Sequence, residues 1–425
     1  MKPSSTLRGR LGAATGGLWV VSVVVLLVAA GTLIFGPWTD ETAELAGWDA
    51  ERFQEIADRQ VPAWSGTPVE YPPGSVVVFD AVAGSSVVGT NRALVVLAVV
   101  STAVAALALW RGDSARAAKA FLVFGLPLTA IGLVRLDPLV TALAVVAAVA
   151  VLSERGRRPR AEAVFALAVT AGAMVKIWPV LLVAGALATR RHRAAGAAVA
   201  AGGVAGLVWL GWVGDGLEPV RQVLALRGAT GWHVESVPGS IVALLGDEAP
   251  RLELNAFRIG HLSPAVVTIG RALAVGTILA LVSTARRRNR PATSAESAVW
   301  TDRDRLALTM LGATAALIAT APLLSPQFLI WLTPWAALVA TGEAGRAAKA
   351  AAGLTGAAVV LTGLALTLFA PPDLADPFPA VLITVRNIAL LLVPVACLTA
   401  LRSGPVRPTP RSDPADAGRK DSLGY

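Results

Sequence analysis

An acidic residue, Asp49, follows soon after the first long apolar segment of the chain. It belongs to the segment GWDAERFQEIA at positions 47–57, in which Phe53, Ile56 and Ala57 have helical spacing. This spacing predicts a short amphipathic helix that lies at a membrane interface. We place Asp49 near the start of that helix, where a helix N-terminus stabilises a carboxylate. Asp49 is a candidate for chemistry at the membrane surface, and a helix cap is the alternative explanation.

Several charged residues lie within apolar segments or at their ends. These residues are Asp80, Arg92, Asp137, Lys176, Arg271 and Arg386. A charged side chain is costly where it faces lipid, so we expect these groups to face a polar cavity or one another. Lys176, Arg271 and Arg386 are cations with few acids nearby in the sequence, which suits a phosphate or pyrophosphate ligand. Snorkelling to the interface and structural pairing are the alternatives.

A second predicted loop contains the segment RGATGWHVES at positions 227–236. Trp232, His233 and Glu235 offer a stacking and hydrogen-bonding surface that suits a sugar, and an ordinary loop is an equal alternative. A single histidine is a poor basis for a metal site. The sequence therefore indicates no cofactor and leaves a metal requirement open.

Two proline-containing segments border other apolar runs. The segment VEYPPG at 69–74 contains Glu70 and Tyr71, followed by a rigid Pro-Pro turn at the return into the membrane. The segment LSPQFLIWLTPW at 324–335 combines Gln327 with two prolines and two tryptophans. It predicts a broken helix whose freed backbone lines a cavity. An aromatic belt is the alternative role for the tryptophans.

The elements that must position these residues are membrane-spanning helices. The chain of 425 residues is 55% hydrophobic and 15% charged, whereas a soluble protein of this length needs far more polar surface. The apolar runs lack the period-two alternation of barrel strands, so helices are favoured. We predict an all-α polytopic membrane protein with about twelve transmembrane helices, in a range of about ten to thirteen.

The predicted spans follow from apolar runs of roughly the length that crosses a bilayer. These runs occupy positions 17–36, 91–110, 118–134, 138–152, 161–175, 177–189, 194–213, 263–285, 305–322, 327–341, 350–370 and 378–401. The runs at 161–175 and 177–189 are split by Lys176 and by Ile177-Trp178-Pro179. This pair predicts either two linked short helices or one broken helix.

Positive charge gathers in alternate connections between the predicted spans. About two thirds of the 37 lysines and arginines fall on one side, which the positive-inside rule identifies as the cytoplasm. Both termini of this multi-pass protein then lie on the cytoplasmic side of the cytoplasmic membrane. The long loops at 37–90 and 214–262 lie outside, so we expect the active site on the outer face. Residues 1–401 form one transmembrane domain, and the tail at 402–425 is predicted to be disordered.

Composition and motif content disfavour other classes of protein. The net charge of +9 comes from short basic loops between spans, a pattern of membrane topology and not of a nucleic-acid groove. The single cysteine, Cys397, cannot form an intrachain disulfide. The sequence shows no internal repeat, Walker loop or dinucleotide fingerprint.

Taken together, these segments resemble the bacterial C-type glycosyltransferases, and most closely glycosyltransferase family 87. The segments that carry the resemblance are, in chain order, Trp48-Asp49, Glu70-Tyr71-Pro72-Pro73-Gly74, Leu136-Asp137-Pro138, Val175-Lys176-Ile177-Trp178-Pro179 and Ser325-Pro326-Gln327-Phe328-Leu329-Ile330-Trp331-Leu332. Their order and spacing extend the resemblance over positions 15–400. The fold that it implies is that of the C-type glycosyltransferases.

The resemblance implies an enzyme that transfers a sugar, above all mannose, from a polyprenyl-phosphate donor to a lipid or glycan acceptor. It implies that Asp49 is the general base for the acceptor hydroxyl, with Asp137 as the second choice. Lys176, Arg271 or Arg386 would stabilise the leaving polyprenyl phosphate. The residues expected to shape the acceptor or sugar side are Glu70, Tyr71, Trp232, His233, Glu235 and Gln327.

Two other functions would use the same features. A transporter or flippase of lipid-linked sugars would need the cationic cavity but no base, and the lack of two related halves counts against it. A non-catalytic membrane subunit of an envelope-synthesis complex would contain intramembrane charges that only pair with each other. The expected partners are a lipid-linked sugar donor, a glycolipid or glycan acceptor and membrane lipid, with no nucleic acid.

Overall fold

The computed structural model describes residues 5–36, 40–58, 71–153, 158–213, 221–222, 229–246, 248–254, 256–287, 300–342, 345–369 and 371–403. Glu70 and the tail beyond residue 403 lie outside these described residues. The last helix extends through Arg402 and Ser403, two residues past the predicted start of the tail.

The described chain is predominantly helical, as its composition predicts. Its α-helices are α1 (Ser5–Phe35), α2 (Asp40–Ala57), α3 (Pro73–Val82), α4 (Val87–Gly112), α5 (Ala115–Gly125), α6 (Thr129–Leu133), α7 (Asp137–Leu152), α8 (Pro159–Val175), α9 (Leu181–Ala188), α10 (His192–Val213), α11 (Val237–Leu245), α12 (Pro264–Arg287), α13 (Asp302–Ala319), α14 (Thr333–Thr341), α15 (Arg346–Leu368) and α16 (Pro377–Ser403). Short 3-10 helices cover Leu126–Leu128, Trp178–Val180, Pro326–Leu332 and Pro371–Ala375.

Proline interrupts the helices at two places that the sequence marks. Helix α8 ends at Val175, and the 3-10 turn Trp178–Val180 leads into α9, so this pair of runs forms two linked helices. The 3-10 helix Pro326–Leu332 precedes α14 in the same way. Proline has no backbone N–H to donate, so each break is stable only where surrounding protein satisfies the freed backbone groups. The break predicted in the segment 324–335 is therefore confirmed.

Within the described residues, seven helices are long and apolar enough to cross a membrane. They are Gly17–Phe35, Val87–Gly112, Ala115–Leu133, His192–Gly211, Pro264–Arg287, Arg346–Leu368 and Pro377–Ser403. The protein is thus a multi-pass membrane protein, but the predicted count of about twelve spans is not confirmed. Helices such as α7, α9 and α14 overlap the other predicted runs but are shorter than 18 residues. Their apolar residues are covered by neighbouring helices, so burial inside the protein also accounts for their composition.

The centre of the bundle is α13, whose residues from Asp304 to Ala316 are all buried. It packs against α9, α12, α14 and α16. Close approach requires a small residue, and a Cβ at Gly312 would lie 2.9 Å from the Leu281 side chain and 3.1 Å from Cys397. Gly312 therefore lets α12 and α16 approach the central helix.

A small antiparallel sheet lies between α10 and α12 in the chain. Its strands are β1 (Trp232–His233), β2 (Arg251–Leu252) and β3 (Phe257–Ile259), in the order β1-β3-β2. Trp232 pairs with Ile259. The backbone N–H of His233 donates to the carbonyl oxygen of Pro322 at 3.2 Å. This hydrogen bond fixes the sheet to the connection that follows α13.

Three aromatic rings join α2 to α3. The Phe53 ring stacks on Phe79 with 4.2 Å between centroids, and Tyr71 meets both rings edge-on at 5.6 and 5.0 Å. Aromatic pairs of this geometry add to the stabilisation from buried area. The structure thus contains a helix in the first long loop, as predicted, and its position at a membrane interface stays a prediction.

Candidate active site

Asp49 lies in the middle of α2, because that helix begins at Asp40. The prediction that Asp49 stands near a helix start is therefore wrong, and a cap role does not apply. Residues 40–47 include alanine, leucine and glutamate, which are good helix formers and extend α2 toward the N-terminus. Asp49 shares a helix face with the buried residues Phe53 and Ile56. Burial of that face directs the carboxylate toward the protein.

The partner of Asp49 is Arg135, which lies between α6 and α7. The two side chains form a salt bridge and are 25% and 18% exposed respectively. Burial lowers the pKa of Arg135 to about 10, and the negative charge of Asp137 opposes this shift. The guanidinium therefore remains protonated at neutral pH.

Asp137, the first residue of α7, is the most buried group of the site. Its two carboxylate oxygens each accept a hydrogen bond from Lys176 Nζ at 2.9 Å. Oδ1 also accepts from Trp331 Nε1 at 2.6 Å. The Asp137 side chain is 0% exposed. A buried carboxylate with these partners is poorly placed to accept another proton, whereas Asp49 is partly exposed.

Aromatic rings surround the Lys176 ammonium. Trp331 stacks on Trp178 and Phe328, with centroid separations of 5.3 and 4.4 Å. Lys176 Nζ lies 5.4 Å from the centroid of Phe328 and 5.7 Å from that of Trp331, which is within range of a cation–π interaction. Trp331 is buried and hydrogen-bonded, so an aromatic belt does not explain it.

Asp49, Arg135, Asp137 and Lys176 form what we call the ionic chain. It joins three segments that are far apart in the sequence, and its two acidic residues balance its two basic residues. Such mutual pairing is what allows charges to remain in a poorly solvated site. The exposed members are Asp49, Arg135 and Lys176, whose side chains are 25%, 18% and 14% exposed. The ionic chain therefore presents a carboxylate at one end and an ammonium at the other.

Arg386, predicted to bind phosphate, has a different environment. Its side chain on α16 is 1% exposed, and Nη1 donates to Glu235 Oε2 at 2.6 Å. Its Nε and Nη2 donate to Asn387 Oδ1 at 3.1 and 2.9 Å. The guanidinium is thus engaged in holding the segment around Glu235 against α16. Arg271, the third predicted cation, lies on the exposed face of α12.

The residues predicted for the acceptor side fall into two groups. Trp232, His233 and Glu235 are buried and belong to the sheet and the turn that follows it. Tyr71 contacts the Phe53 and Phe79 rings where α2 meets α3. Gln327 Oε1 accepts a hydrogen bond from Ser325 Oγ at 2.6 Å. Glu70, the remaining member, lies outside the described residues.

His233 is expected to make the protein less stable in mild acid. Burial, assisted by the positive charges of Arg258 and Arg386, lowers the pKa of His233 from 6.5 to about 3. The unfolded chain takes up a proton near pH 6.5 and the folded chain does not until about pH 3, so stability falls as the pH decreases through this interval. Nδ1 of His233 accepts from the backbone N–H of Glu235 at 3.3 Å, and an asparagine oxygen could replace it.

Between pH 7.5 and pH 5, the unfolding temperature of the wild type should therefore drop by several degrees more than that of His233→Asn. The drop that remains in His233→Asn reflects the other titrating groups, which both proteins share. Thermal unfolding of the detergent-solubilised protein measures the difference. His261→Gln is the matched control, because His261 is exposed and should leave the pH dependence unchanged. An equal acid sensitivity in wild type and His233→Asn contradicts a neutral, buried His233.

Arg135 and Trp331 were not predicted as site residues. Arg135 could have been noticed because it stands two positions before Asp137, at the end of the same apolar run. Trp331 carries no such local signal, since its partner Asp137 is 194 positions away. Only the packing of the Pro326–Leu332 segment against α7 reveals that contact.

A mostly apolar cavity of about 60 Å³ lies near the segments that carry the ionic chain. Leu26 of α1, Ala98 of α4 and Leu122 of α5 line its sides, and Pro138 and Ile330 border one end. These two residues adjoin Asp137 and Trp331 in the sequence. The cavity therefore borders the two segments that carry Asp137 and Trp331. Across the described ranges, no group of three His, Cys, Asp or Glu residues has an arrangement that could hold a metal ion.

One family model and two solved structures match the chain. The model of glycosyltransferase family 87 matches residues 70–301. The structure is similar to ArnT from Cupriavidus metallidurans in the apo state, with 16% identity and a TM-score of 0.41 over 92% of this chain and 78% of that chain. The same enzyme bound to undecaprenyl phosphate gives 15% identity and a TM-score of 0.40 over 91% and 78% of the two chains. A search of curated protein sequences gives no significant match.

Proposed function

The chain belongs to glycosyltransferase family 87, and from this membership we propose that it transfers a sugar from a polyprenyl-phosphate donor to an acceptor hydroxyl. Mannose is the sugar that we propose, and the acceptor is a lipid or a glycan. The reaction takes place at the outer face of the cytoplasmic membrane, with both termini in the cytoplasm. The distribution of basic residues supports this orientation.

The observation that carries the proposal is the ionic chain. It brings Asp49, in the loop after the first apolar helix, into contact with Arg135, whose neighbour Asp137 holds Lys176. A base for the acceptor and a cation for the donor phosphate are thus held by one set of contacts. A transporter or a purely structural subunit would not need a partly exposed carboxylate at the end of the ionic chain. No contact among the described residues favours either of these functions.

In the proposed reaction, Asp49 accepts the proton of the acceptor hydroxyl as its oxygen attacks the anomeric carbon of the sugar. The bond between that carbon and the phosphate oxygen breaks, and polyprenyl phosphate leaves with the bonding electrons. The bond between acceptor oxygen and anomeric carbon forms at the same time. Asp49 is 25% exposed, so the acceptor can approach it without breaking the core.

Lys176 is the residue that we assign to the donor phosphate. An ammonium group has three N–H donors, and the hydrogen bonds to the two oxygens of Asp137 leave one for the phosphate. Its fixed position allows it to stabilise the charge that develops on the leaving group without rearrangement. Arg271 is exposed and could meet the same phosphate at the membrane surface, whereas we assign Arg386 to holding the segment around Glu235.

The apolar cavity beside Pro138 and Ile330 supports a lipid-linked donor. Its mostly apolar walls, formed by side chains of α1, α4 and α5, offer a contact surface for part of an isoprenoid chain. On the acceptor side we propose Glu70, Tyr71 and Gln327 as sugar-contacting residues. Trp232, His233 and Glu235 are proposed to shape that side through the sheet that they build.

The proposal is tested by measuring transfer in proteoliposomes that contain the purified chain and a panel of radiolabelled polyprenyl-phosphate sugars. We expect label from the mannose donor to appear in an acceptor extracted from bacterial membranes. Transfer from another sugar donor would correct the sugar and retain the reaction class. Movement of the labelled lipid between leaflets without any transfer would instead establish a flippase.

A further inference from the structure

Asn91 is a buried amide near the start of α4 whose polar atoms are unsatisfied. Its side chain is 0% exposed. Neither Oδ1 nor Nδ2 has a hydrogen-bond partner among the residues that the structure describes. Buried polar groups are nearly always paired, so an unpaired amide inside a membrane protein requires an explanation. A state of the protein in which Asn91 gains a partner provides one.

The packing of α4 places Asn91 close to the ionic chain. Val95, one helical turn further along the same face, packs with Leu133 and Val134, and Val134 is followed directly by Arg135. On the other side, α4 packs against α2, the helix that carries Asp49. The start of α4 therefore adjoins both elements of the Asp49–Arg135 salt bridge.

A second set of contacts fixes this placement. Gly84 links α2 to α4. Its N–H donates to Thr90 Oγ1 on α4, and its carbonyl oxygen accepts from Gln54 Nε2 on α2, both at 2.9 Å. Thr90 is the neighbour of Asn91, and Gln54 lies about one turn beyond Asp49 on α2. The first turn of α4 is thus held beside the turn of α2 from which Asp49 extends.

Arg135 has a complementary unsatisfied atom. Its Nε is buried without a hydrogen-bond partner in the described part of the chain, and its Nη1 makes the ionic contact with Asp49. Asn91 offers an acceptor, Oδ1, and Arg135 offers donors. A base that is held in a tight salt bridge is weakened, because the paired cation favours the deprotonated carboxylate.

We propose that Asn91 is a positioning residue that receives the Arg135 guanidinium when an acceptor hydroxyl binds Asp49. This inference rests on the proposed role of Asp49 as general base. In the resting protein Arg135 contacts Asp49, as the structure shows. When the hydroxyl donates to Asp49, the Arg135 guanidinium turns away from Asp49 and donates a hydrogen bond to Asn91 Oδ1. Asp49 then becomes a stronger base at the moment of transfer.

Other charged groups near Asp49 must be considered in any pH experiment. Those on the elements packed around it are Glu51, Arg52 and Glu55 on α2, Asp80 on α3, Arg92 on α4, Arg135 and Asp137 before and within α7, and Lys176 after α8. Arg52 is paired with Glu55, and Asp80 and Arg92 are exposed. Arg135 is the group in direct contact with Asp49, so its movement should dominate the change at that carboxylate.

The test measures the protonation of Asp49 without relying on activity. A hydrophobic carbodiimide modifies protonated carboxyl groups, and mass spectrometry of the peptide that contains Asp49 gives the pH of half-maximal labelling. In Asn91→Asp, the new carboxylate should draw Arg135 away and raise this pH by about one unit. In Asn91→Leu, labelling of the resting protein should stay as in the wild type. The turnover rate of Asn91→Leu should fall about tenfold, with the donor KM within about twofold.

The background Arg135→Met separates partner exchange from direct repulsion between two carboxylates. If Asn91→Asp acts by drawing Arg135 away, its effect on Asp49 labelling should disappear in this background. An equal shift in both backgrounds, or no shift in either, overturns the proposal. Thr314→Val is the matched control, because Thr314 is also fully buried and its hydroxyl lacks a partner within the described residues. It should behave as wild type in labelling and turnover.

The same experiments distinguish a failure of this inference from a failure of the proposed function. If the labelling shift depends on Arg135 but no sugar is transferred by the wild type, the exchange between Asp49 and Asn91 is supported and the transferase proposal fails. If the wild type transfers sugar and Asn91→Leu has wild-type turnover, the transferase proposal stands and the positioning role of Asn91 is rejected.

Discussion

Asp49→Asn is expected to lower the turnover number for sugar transfer by about 10²–10⁴-fold, the usual contribution of a general base. The amide has nearly the same shape but cannot accept the proton of the acceptor hydroxyl. The donor KM should change little, because the phosphate is proposed to bind at Lys176 and not at Asp49. Initial rates in proteoliposomes with a labelled donor measure both quantities.

The folded protein should tolerate Asp49→Asn. The Asp49–Arg135 salt bridge is partly exposed, and removal of such a pair costs on the order of 1 kcal/mol. Asp58→Asn is the matched control, because Asp58 is exposed just beyond the end of the same helix and should retain full activity. Wild-type turnover in Asp49→Asn would exclude this residue as the base.

Asp137→Asn should have the opposite profile, with a large loss of stability. The amide can still accept a hydrogen bond from Trp331, but it no longer neutralises Lys176 or the nearby Arg135. Removing one partner of a buried ion pair typically costs about 3–5 kcal/mol. Transfer should also decrease, since Lys176 loses the contact that positions it. Thermal unfolding and transfer assays on the same preparation measure the two effects.

A double substitution distinguishes charge imbalance from a general packing defect. Lys176→Met removes the stranded cation, so Asp137→Asn combined with Lys176→Met should be more stable than Asp137→Asn alone. The double variant should be inactive, because the donor phosphate then lacks its ammonium partner, whereas Asp137→Asn alone should retain reduced transfer. Asp80→Asn is the control, as it removes an exposed carboxylate and should leave stability unchanged. If Asp137→Asn is as stable as wild type, the ionic chain does not hold Lys176.

Asp49→Asn and Asp137→Asn are expected to reveal separate roles for the two acidic residues of the ionic chain. Asp49 is the partly exposed acid, so its removal affects the reaction more than the fold. Asp137 has no exposed surface and three hydrogen bonds from two partners, so its removal affects the fold first. In the sequence both acids lie near the predicted outer face, so Asp137 is a reasonable second choice for the base. Its burial and its three hydrogen bonds make it the weaker candidate.

The sequence alone determined the class of protein and the position of most helices. Hydrophobicity is a property of each local segment, so apolar runs identify helices without knowledge of their neighbours. The proline breaks near Pro179 and Pro326 were predicted for the same reason, since proline acts on its own helix. The resemblance to family 87 depended on short motifs, and the family match confirms it.

The number of spans required the tertiary structure. An apolar helix can be covered by lipid or by other helices, and composition does not distinguish the two environments. Helices α7, α9 and α14 are shorter than a span and mostly surrounded by protein. The start of α2 was also misplaced, because the acidic residues after position 40 join the helix.

The pairing of the charged side chains was likewise decided by tertiary structure. Lys176 meets Asp137 across 39 positions, and Arg386 meets Glu235 across 151. Both cations looked alike in the sequence, as lone charges in apolar runs, yet one joins the ionic chain and the other holds a segment against α16. The energy of a charge in a membrane protein depends on the group that faces it. That group is set by how the helices pack, and a single sequence does not contain this information in any local pattern.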